Sequence, residues 1–358
     1  MMRATVIAAV LTLLLSAAAQ ATAEPAQAFQ VFLDPAGSDT NSGLSTSAPV
    51  RTLARAQAVL TAAQPQTDVE VRVKQGTYTA PTTTWTFVVP GHTVNFMPID
   101  YEYGDGVDDI AGRPVFRGDG TAGYWLRGRM PDTMPQGGDG GLRFYYLRVE
   151  RYSEGGIALA GRYHTDSDGL RVPADAGFNH NKIFGMELVD IGSKWSSAGY
   201  GYGGVDLVNS SGNLIQNNHF VHLENTDGQA PLLHGVYIAH HSSDNVIVNN
   251  QFAYISGDPL RARNDSNHND IYGNVLERTG QKGQFSDWFC DTSTGCVDAE
   301  HPRECASQGN LFHENDNISG YDDGSLSNWA MIVGDLTYSG ASPCTNDGEQ
   351  RVRTWGNT

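Results

Sequence analysis

Basic residues are scarce in this chain of 358 residues. Lysine and arginine together number 23, against 40 aspartates and glutamates, and the formal net charge is −17. So acidic a chain argues against nonspecific nucleic-acid binding, which needs a basic surface, and we predict no nucleic-acid partner. A polyanionic substrate is compatible with this charge only where basic residues cluster locally or where a cation bridges the charges.

Long apolar segments are missing beyond the N-terminus. The apolar run at residues 6–18 follows Arg3 and precedes Ala-Thr-Ala at residues 21–23, a pattern typical of a cleaved export signal. The run is short for a membrane span. We therefore predict a signal peptide over residues 1–23, no membrane span in the mature chain, and a secreted location, either extracellular or periplasmic.

Cysteine is absent from the first three quarters of the chain. The four cysteines are Cys290, Cys296, Cys305 and Cys344. An even number in an exported chain predicts two disulfides, and the three possible pairings stay open. A zinc site is the alternative, but no Cys-x-x-Cys or nearby histidine pair favours it. Phosphate-binding loops, serine elbows and zinc-binding helix motifs are missing as well.

An internal repeat dominates the second half of the sequence. Five segments of eight residues align without gaps, each beginning with asparagine: 181–188, 213–220, 245–252, 269–276 and 310–317. The third position is always apolar, and the sixth is asparagine in all but the first. Stacked coils explain such columns, because one coil alone cannot bury its apolar face. We expect the stacked asparagines to hydrogen-bond along the stack, which satisfies buried polar groups.

Two further columns complete each coil. Residues 204–209, 235–240 and 259–264 align upstream of the eight-residue segments, with 156–161 as an earlier member. The inward positions of this upstream strand are predicted to be Ile157, Val205, Val236 and Leu260, and Leu159, Leu207, Ile238 and Ala262. A weaker column follows downstream at Ile191, Leu223, Ile255 and Thr279. Apolar residues at every second position indicate strands, and three strands per coil predict a parallel β-helix.

The beginning of the chain supports the same fold. Residues 29–43 (FQVFLDPAGSDTNSG) and 48–53 (APVRTL) resemble the opening of many secreted pectin-lyase-like β-helix proteins. The resemblance implies an all-β, right-handed parallel β-helix with a short N-terminal capping helix, which we place at residues 51–63. We assign residues 24–320 to the β-helix domain and 321–358 to a disulfide-braced C-terminal cap. That superfamily includes lyases, hydrolases, epimerases and non-enzymes, so the fold leaves the activity open.

Chemistry on a solenoid must use outward side chains. On the upstream strand these include Asp206, Tyr237 and Arg261 in one column, with Arg263, His234 and Asp258 in the neighbouring ones. Such a set suits β-elimination from a uronic-acid polymer, in which a cation neutralises the carboxylate while a base and an acid move protons. We predict Tyr237, Arg261, Arg263 and His234 as catalytic residues. We predict Asp206, Asp258, Lys194 and Trp195 as substrate-binding residues.

Other functions stay open at this point. The outward column is also compatible with charge compensation between strands, and so with a non-catalytic, carbohydrate-binding scaffold. A glycoside hydrolase is the second enzyme class, although Asp206 and Asp258 would lie roughly 11–12 Å apart by strand spacing, near or beyond the separation of a hydrolytic pair. Residues 225–228 (NTDG) match one element of polygalacturonase-type hydrolases, and Asp258-Pro259 lacks the histidine of related epimerases. Calcium is a candidate cofactor at the acidic stretch 100–109. We predict a monomer.

Overall fold

Three parallel sheets wind around a single apolar core in the computed structural model, which describes residues 27–130, 139–174, 177–280, 283–292, 295–298, 301–321, 330–333, 344 and 350–358. Each coil contributes one strand to each sheet, and equivalent strands pair in parallel from coil to coil. The predicted parallel β-helix with three strands per coil is therefore confirmed. The predicted signal peptide lies outside the described residues.

The sheets run the length of the solenoid. Sheet 1 consists of Thr83–Trp85, Tyr124–Arg129, Gly155–Ala160, Gly203–Val208, His234–Ala239, Leu260–Arg263, Gly283–Trp288 and Ala330–Val333. Sheet 2 consists of Phe29–Leu33, Val69–Val73, Val94–Pro98, Leu142–Tyr145, Lys182–Phe184, Leu214–Gln216, Val246–Val248, Asp270–Tyr272, Asn310–His313 and Val352–Trp355. Sheet 3 consists of Thr77–Ala80, Val115–Gly118, Arg148–Glu150, Glu187–Ile191, His219–Leu223, Gln251–Ile255, Val275–Thr279 and Asp316–Asn317.

Each eight-residue repeat spans two strands rather than one. Its first part forms a strand of sheet 2, its sixth residue turns the chain, and its end begins a strand of sheet 3. The downstream apolar column therefore belongs to the same sheet 3 strand as the eighth position. The inward columns predicted for sheet 1 are fully buried. The division of apolar and polar positions between core and surface follows from the twofold period of a strand.

Two asparagine ladders hold the turns. Asn213 donates its side-chain amide to Asn245 at 2.7 Å, and Asn218 donates to Asn250 at 2.9 Å. The same contacts repeat from coil to coil and each amide oxygen also accepts a backbone N–H. The asparagines that begin the repeats do not adopt the left-handed backbone conformation. The residue before each of them does, at His180, Gly212, Asp244, His268 and Gly309.

The capping helix covers the N-terminal end of the core. It extends over Leu53–Ala63, with Thr52 as its N-cap, whose hydroxyl accepts the backbone N–H of Arg55 at 3.1 Å. Its buried side chains are the predicted Leu53, Ala56, Val59 and Leu60. Two short 3-10 helices, Val107–Asp109 and Asp227–Leu232, lie in loops. Among the described residues, no helix has the length and apolar character of a membrane span.

All four cysteines are paired. Cys290 bonds to Cys296, and Cys305 bonds to Cys344. Two strands within residues 321–358 extend the solenoid: Ala330–Val333 pairs with Gly283–Trp288, and Val352–Trp355 pairs with Asn310–His313. Part of the segment that we assigned to a cap thus continues sheets 1 and 2, and the second disulfide ties it to the preceding coil.

Candidate active site

The outer face of sheet 1 carries a groove with a volume of about 550 Å³. A two-stranded antiparallel hairpin, Tyr163–Thr165 and Arg171–Pro173, forms one side of it. The groove is lined by Tyr124, Arg127, Arg129, Ala158, Leu159, Ala160, Gly161, Tyr163, Arg171, Tyr202, Asp206, Val208, Tyr237, His240, Arg263 and His301. Four of these residues are arginines, although the chain as a whole is strongly acidic. The groove is thus a local concentration of basic side chains.

Strand register creates the floor of the groove. One row of paired positions crosses five adjacent strands of sheet 1. It consists, in order, of Arg129, Ala160, Val208, Ala239 and Arg263. Four strand spacings separate the two arginines, or roughly 19 Å. Small side chains between long ones leave a channel along the sheet, and basic groups mark its two ends.

Asp206, Tyr237 and Arg261 occupy directly paired positions on three adjacent strands, as their alignment predicted. Their surroundings differ. Asp206 and Tyr237 line the groove, whereas Arg261 does not. The guanidinium of Arg261 donates instead to the carboxylate of Asp258 at 2.9 Å and to the hydroxyl of Ser286 at 2.9 Å. The structure therefore brings together two of the three residues of this column within the groove.

Tyr237 is hydrogen-bonded to Arg263 on the neighbouring strand. Nη1 of Arg263 donates to the Tyr237 hydroxyl oxygen at 2.9 Å, and Nε donates to Oε2 of Glu304 at 2.8 Å. The guanidinium also lies 4.5 Å from the ring centre of Trp288. Burial acts to lower the pKa of Arg263, but Tyr237 and Glu304 outweigh it, so the pKa is raised and the group stays cationic. A positive charge is thus fixed beside the phenolic oxygen.

Asp206 is a buried acid at the groove wall. The hydroxyl of Tyr124 donates to its Oδ2, and its Oδ1 has no hydrogen-bond partner in the part of the chain that the structure describes. Burial raises its pKa to about 7, although the Tyr124 hydroxyl and the charge of Arg127 act in the opposite direction. Glu154, which is paired with Arg127, raises it further. Near neutral pH this carboxyl therefore exists in both protonated and ionised forms.

His234 and Asp258 lie outside the groove. His234 is 2% exposed, and its Nδ1 lies 2.6 Å from the backbone oxygen of Asp258. Burial and the nearby Arg261 hold its pKa well below the usual range, so the ring is neutral. The Asp258 carboxylate is 6% exposed and bound to Arg261. His234 and Asp258 are thus buried beneath the surface, and Arg261, which is 20% exposed, is engaged by Asp258.

Lys194 and Trp195 face away from the groove as well. Nζ of Lys194 contacts the buried carboxylate of Glu224 at 2.6 Å and lies 5.3 Å from the ring centre of Trp195. The indole packs edge-on against His222, on the side of sheet 3. The loop that carries both residues is held by Asn225, whose amide oxygen accepts the N–H of Ser193 and Gly201. The NTDG segment therefore has an observed structural role.

Several groove residues were not predicted from the repeats. Tyr124, Arg127 and Arg129 belong to a sheet 1 strand one coil before the first aligned member. Its inward position carries Gly128, where the later coils have Leu, Ile or Ala, and Phe178 packs over the resulting space. Because Gly128 stands where the later coils have an apolar side chain, this strand did not align with them. The alternation of outward arginines with Leu126 and Gly128 was the signal that could have revealed it.

The acidic stretch 100–109 forms turns. Carboxylate oxygens of Asp100, Asp105 and Asp109 accept backbone N–H groups of nearby residues. Within the described residues, no three His, Cys, Asp or Glu side chains converge as metal ligands would. This donor set does not fit the calcium site that the sequence suggested, and no chemical step below depends on a metal.

Three parallel sheets wound coil on coil define the chain as a parallel β-helix protein. No protein-family model and no curated protein sequence matches the chain. Among solved structures, a rhamnogalacturonan lyase is 15% identical with a TM-score of 0.49, covering 82% of this chain and 70% of that one. Pectate lyase Pel9A is 13% identical with a TM-score of 0.42, covering 93% and 80%. The catalytic domain of a GH87 alpha-1,3-glucanase is 12% identical with a TM-score of 0.31, covering 84% and 52%. These likenesses concern the fold alone.

Proposed function

We propose that the chain is a secreted polysaccharide lyase that cleaves a uronic-acid-containing polymer by β-elimination. One observation carries the proposal. Four arginines of an otherwise acidic chain line the groove that also holds the Tyr237–Arg263 pair and the buried acid Asp206. A basic groove attracts a polyanion and holds its carboxylates close to groups that can move protons. Two disulfides agree with an exported protein.

The proposed reaction uses three side chains. Arg263 has one terminal nitrogen, Nη2, without a partner among the described residues, and this nitrogen neutralises the uronate carboxylate. The phenolate of Tyr237, stabilised by Arg263, takes the proton from C5 of the uronate. The electron pair of that bond forms the C4–C5 double bond as the C4–O bond breaks, and protonated Asp206 gives its proton to the leaving oxygen. Solvent then restores both protonation states.

Hydrolysis is the second candidate, and a separate observation favours it. Glu154 lies on the coil next to Asp206, because Gly155 pairs with Gly203, and its charge raises the pKa of Asp206. One protonated and one ionised carboxyl on adjacent coils is the arrangement that glycoside hydrolysis requires. The carboxylate of Glu154 is paired with Arg127. Hydrolysis would also leave the Tyr237–Arg263 pair without a role. We therefore place elimination first.

Product chemistry tests the proposal. The purified chain is incubated with polygalacturonate, with alginate and with a neutral glucan, with and without chelator, while ultraviolet absorbance and reducing ends are both measured. Elimination produces a conjugated double bond and new ends from a uronate polymer. New ends without absorbance would indicate hydrolysis and overturn the proposal. Retention of polymer without any product would indicate a binding protein instead.

Matched variants locate the site. Tyr237→Phe removes only the phenolic oxygen and should lower kcat by about 100-fold or more, the usual contribution of a general base. Tyr254→Phe makes the same change at a 38% exposed tyrosine on sheet 3 and should leave kcat within twofold. Equal activity in both variants would remove Tyr237 from the reaction even if the chain proves to be a lyase.

A further inference from the structure

Glu304 is a buried carboxylate at the end of the Tyr237–Arg263 pair. Its side chain is 1% exposed, and its Oε2 accepts Nε of Arg263 at 2.8 Å and the backbone N–H of Cys290 at 3.0 Å. Its own backbone N–H donates to the Cys290 oxygen at 2.6 Å. Glu304 does not line the groove. A buried charge with two donors and a single cationic partner has a defined position, because moving it would leave both charges unpaired.

Both disulfides lie next to this carboxylate. Glu304 bonds to the backbone of Cys290, which is bridged to Cys296, and it precedes Cys305, which is bridged to Cys344. The segment that follows the sheet 1 strand Gly283–Trp288 is thereby braced where it approaches Arg263. The flexible guanidinium is held by Glu304 at its Nε edge and by the Trp288 ring at its face.

We propose that Glu304 is a positioning residue that fixes the guanidinium of Arg263 against the Tyr237 hydroxyl. This inference rests on the proposed function for its catalytic consequence. Arg263 alone has many rotamers, and the observed one directs Nη1 to the phenolic oxygen. Glu304 selects that rotamer and, through its negative charge, also limits how strongly Arg263 stabilises the phenolate. Variants of Glu304 can therefore separate its effect on the orientation of Arg263 from the effect of its charge.

Glu304→Ala removes both effects. Arg263 loses its anchor, and kcat should fall by about 100-fold, as expected when a catalytic group is misplaced by an ångström or so. Glu304→Gln keeps an acceptor for Nε and for the Cys290 N–H but removes the charge. It should retain most of kcat, because Nε of Arg263 still has an acceptor that holds the guanidinium in place.

Other charged and titratable groups face these residues and stay unchanged in the variants. They are Asp206, Tyr202 and His234 beside Tyr237, and His240, whose Nδ1 lies 3.7 Å from Oε1 of Glu304. Glu277→Gln is the matched control, because it removes a carboxylate from an exposed position on sheet 3. It should leave kcat unchanged.

Trp288 supplies a readout that does not depend on activity. Its ring contacts the Arg263 guanidinium, so its fluorescence, taken as the difference from Trp288→Phe, reports the position of that group. Glu304→Ala should change this signal while Glu304→Gln should not. An unchanged signal in a folded Glu304→Ala protein, or an identical loss of kcat in both variants, overturns the positioning role. A changed signal in a chain that cleaves no uronate polymer upholds that role and overturns the proposed function.

Discussion

The hydroxyl oxygen of Tyr237 accepts a hydrogen bond from Nη1 of Arg263 at 2.9 Å, although 26 residues separate the two in sequence. The contact exists because their strands are neighbours in sheet 1, with Tyr237 opposite Arg261 and Arg263 two residues further along the strand. A cation that touches a phenolic oxygen prepares that oxygen to carry negative charge. Under the proposed function, this pair is the reacting centre of the groove.

Arg129 should contribute to binding rather than to turnover. It is exposed at the far end of the groove floor and has no hydrogen bond or ion pair within the described chain. Arg129→Ala should therefore raise KM for a uronate polymer about tenfold at low salt and leave kcat within twofold, with the difference shrinking as salt screens the charge. Arg353→Ala, an exposed arginine on sheet 2, is the control. A kcat that falls with unchanged KM would place Arg129 in the reaction instead.

Asp206 should make stability depend on pH. Its pKa in the folded chain is about 7, above its ordinary value of 3.8, so the folded state binds the proton more tightly than the unfolded state does. Stability is therefore lost as pH rises through this window, by roughly 4 kcal/mol at most. Asp206→Asn removes this loss. The Tm of the variant relative to the parent chain should rise between pH 4 and 7 and then level off.

The comparison isolates Asp206, because Asp287 is present in both proteins. Burial raises the pKa of Asp287 to about 6 against the opposing charge of Arg351, so its contribution cancels in the difference. A difference in Tm between Asp206→Asn and the parent chain that stays constant from pH 4 to 8 would mean that Asp206 titrates normally. Asp206 would then be excluded as the acid of the proposed reaction.

The asparagine ladder should contribute more to stability than its polar composition suggests. Asn250 is fully buried, and its side chain joins Asn218, Asn274 and the backbone oxygen of Ile215. Asn250→Ala leaves several of these groups unpaired and should lower the free energy of unfolding by about 2–4 kcal/mol, one to three kcal/mol for each buried group that loses its partner. Urea unfolding measures the change.

Gln251→Ala provides the neighbouring control. Gln251 is exposed on the adjacent strand, and its replacement should alter stability by no more than about 0.5 kcal/mol. If both variants unfold at the same urea concentration, the asparagine column is replaceable, and coil stacking depends on the apolar columns alone.

Periodic features were predictable because each coil repeats the same physical requirement. Ile157, Val205 and Val236 fill one inward column, and each was identified from its alternation with polar neighbours. The asparagine ladders followed from recurrence, and the capping helix followed from its apolar face. The paired register of Asp206 and Tyr237 was predicted from the same alignment and is confirmed.

Features that depend on three-dimensional proximity were not predictable in this way. Arg261 and Arg263 differ by two positions on one strand, yet the first is bound to Asp258 while the second reaches Tyr237 in the groove. His234 follows the register of its column but is buried beneath the surface. Glu304 and Arg171 belong to segments without repeat spacing, so no alignment could place them beside the groove.

The sequence by itself determined the solenoid, its three columns and the residues that face outward, because backbone alternation and coil stacking repeat along the chain. Only the tertiary structure decided which outward residues share the groove and which neutralise one another below it. Those outcomes depend on loops that return from distant positions, such as the segment that carries Glu304, and on the competition of each charge for the nearest partner. Both are properties of the folded surface rather than of any local pattern.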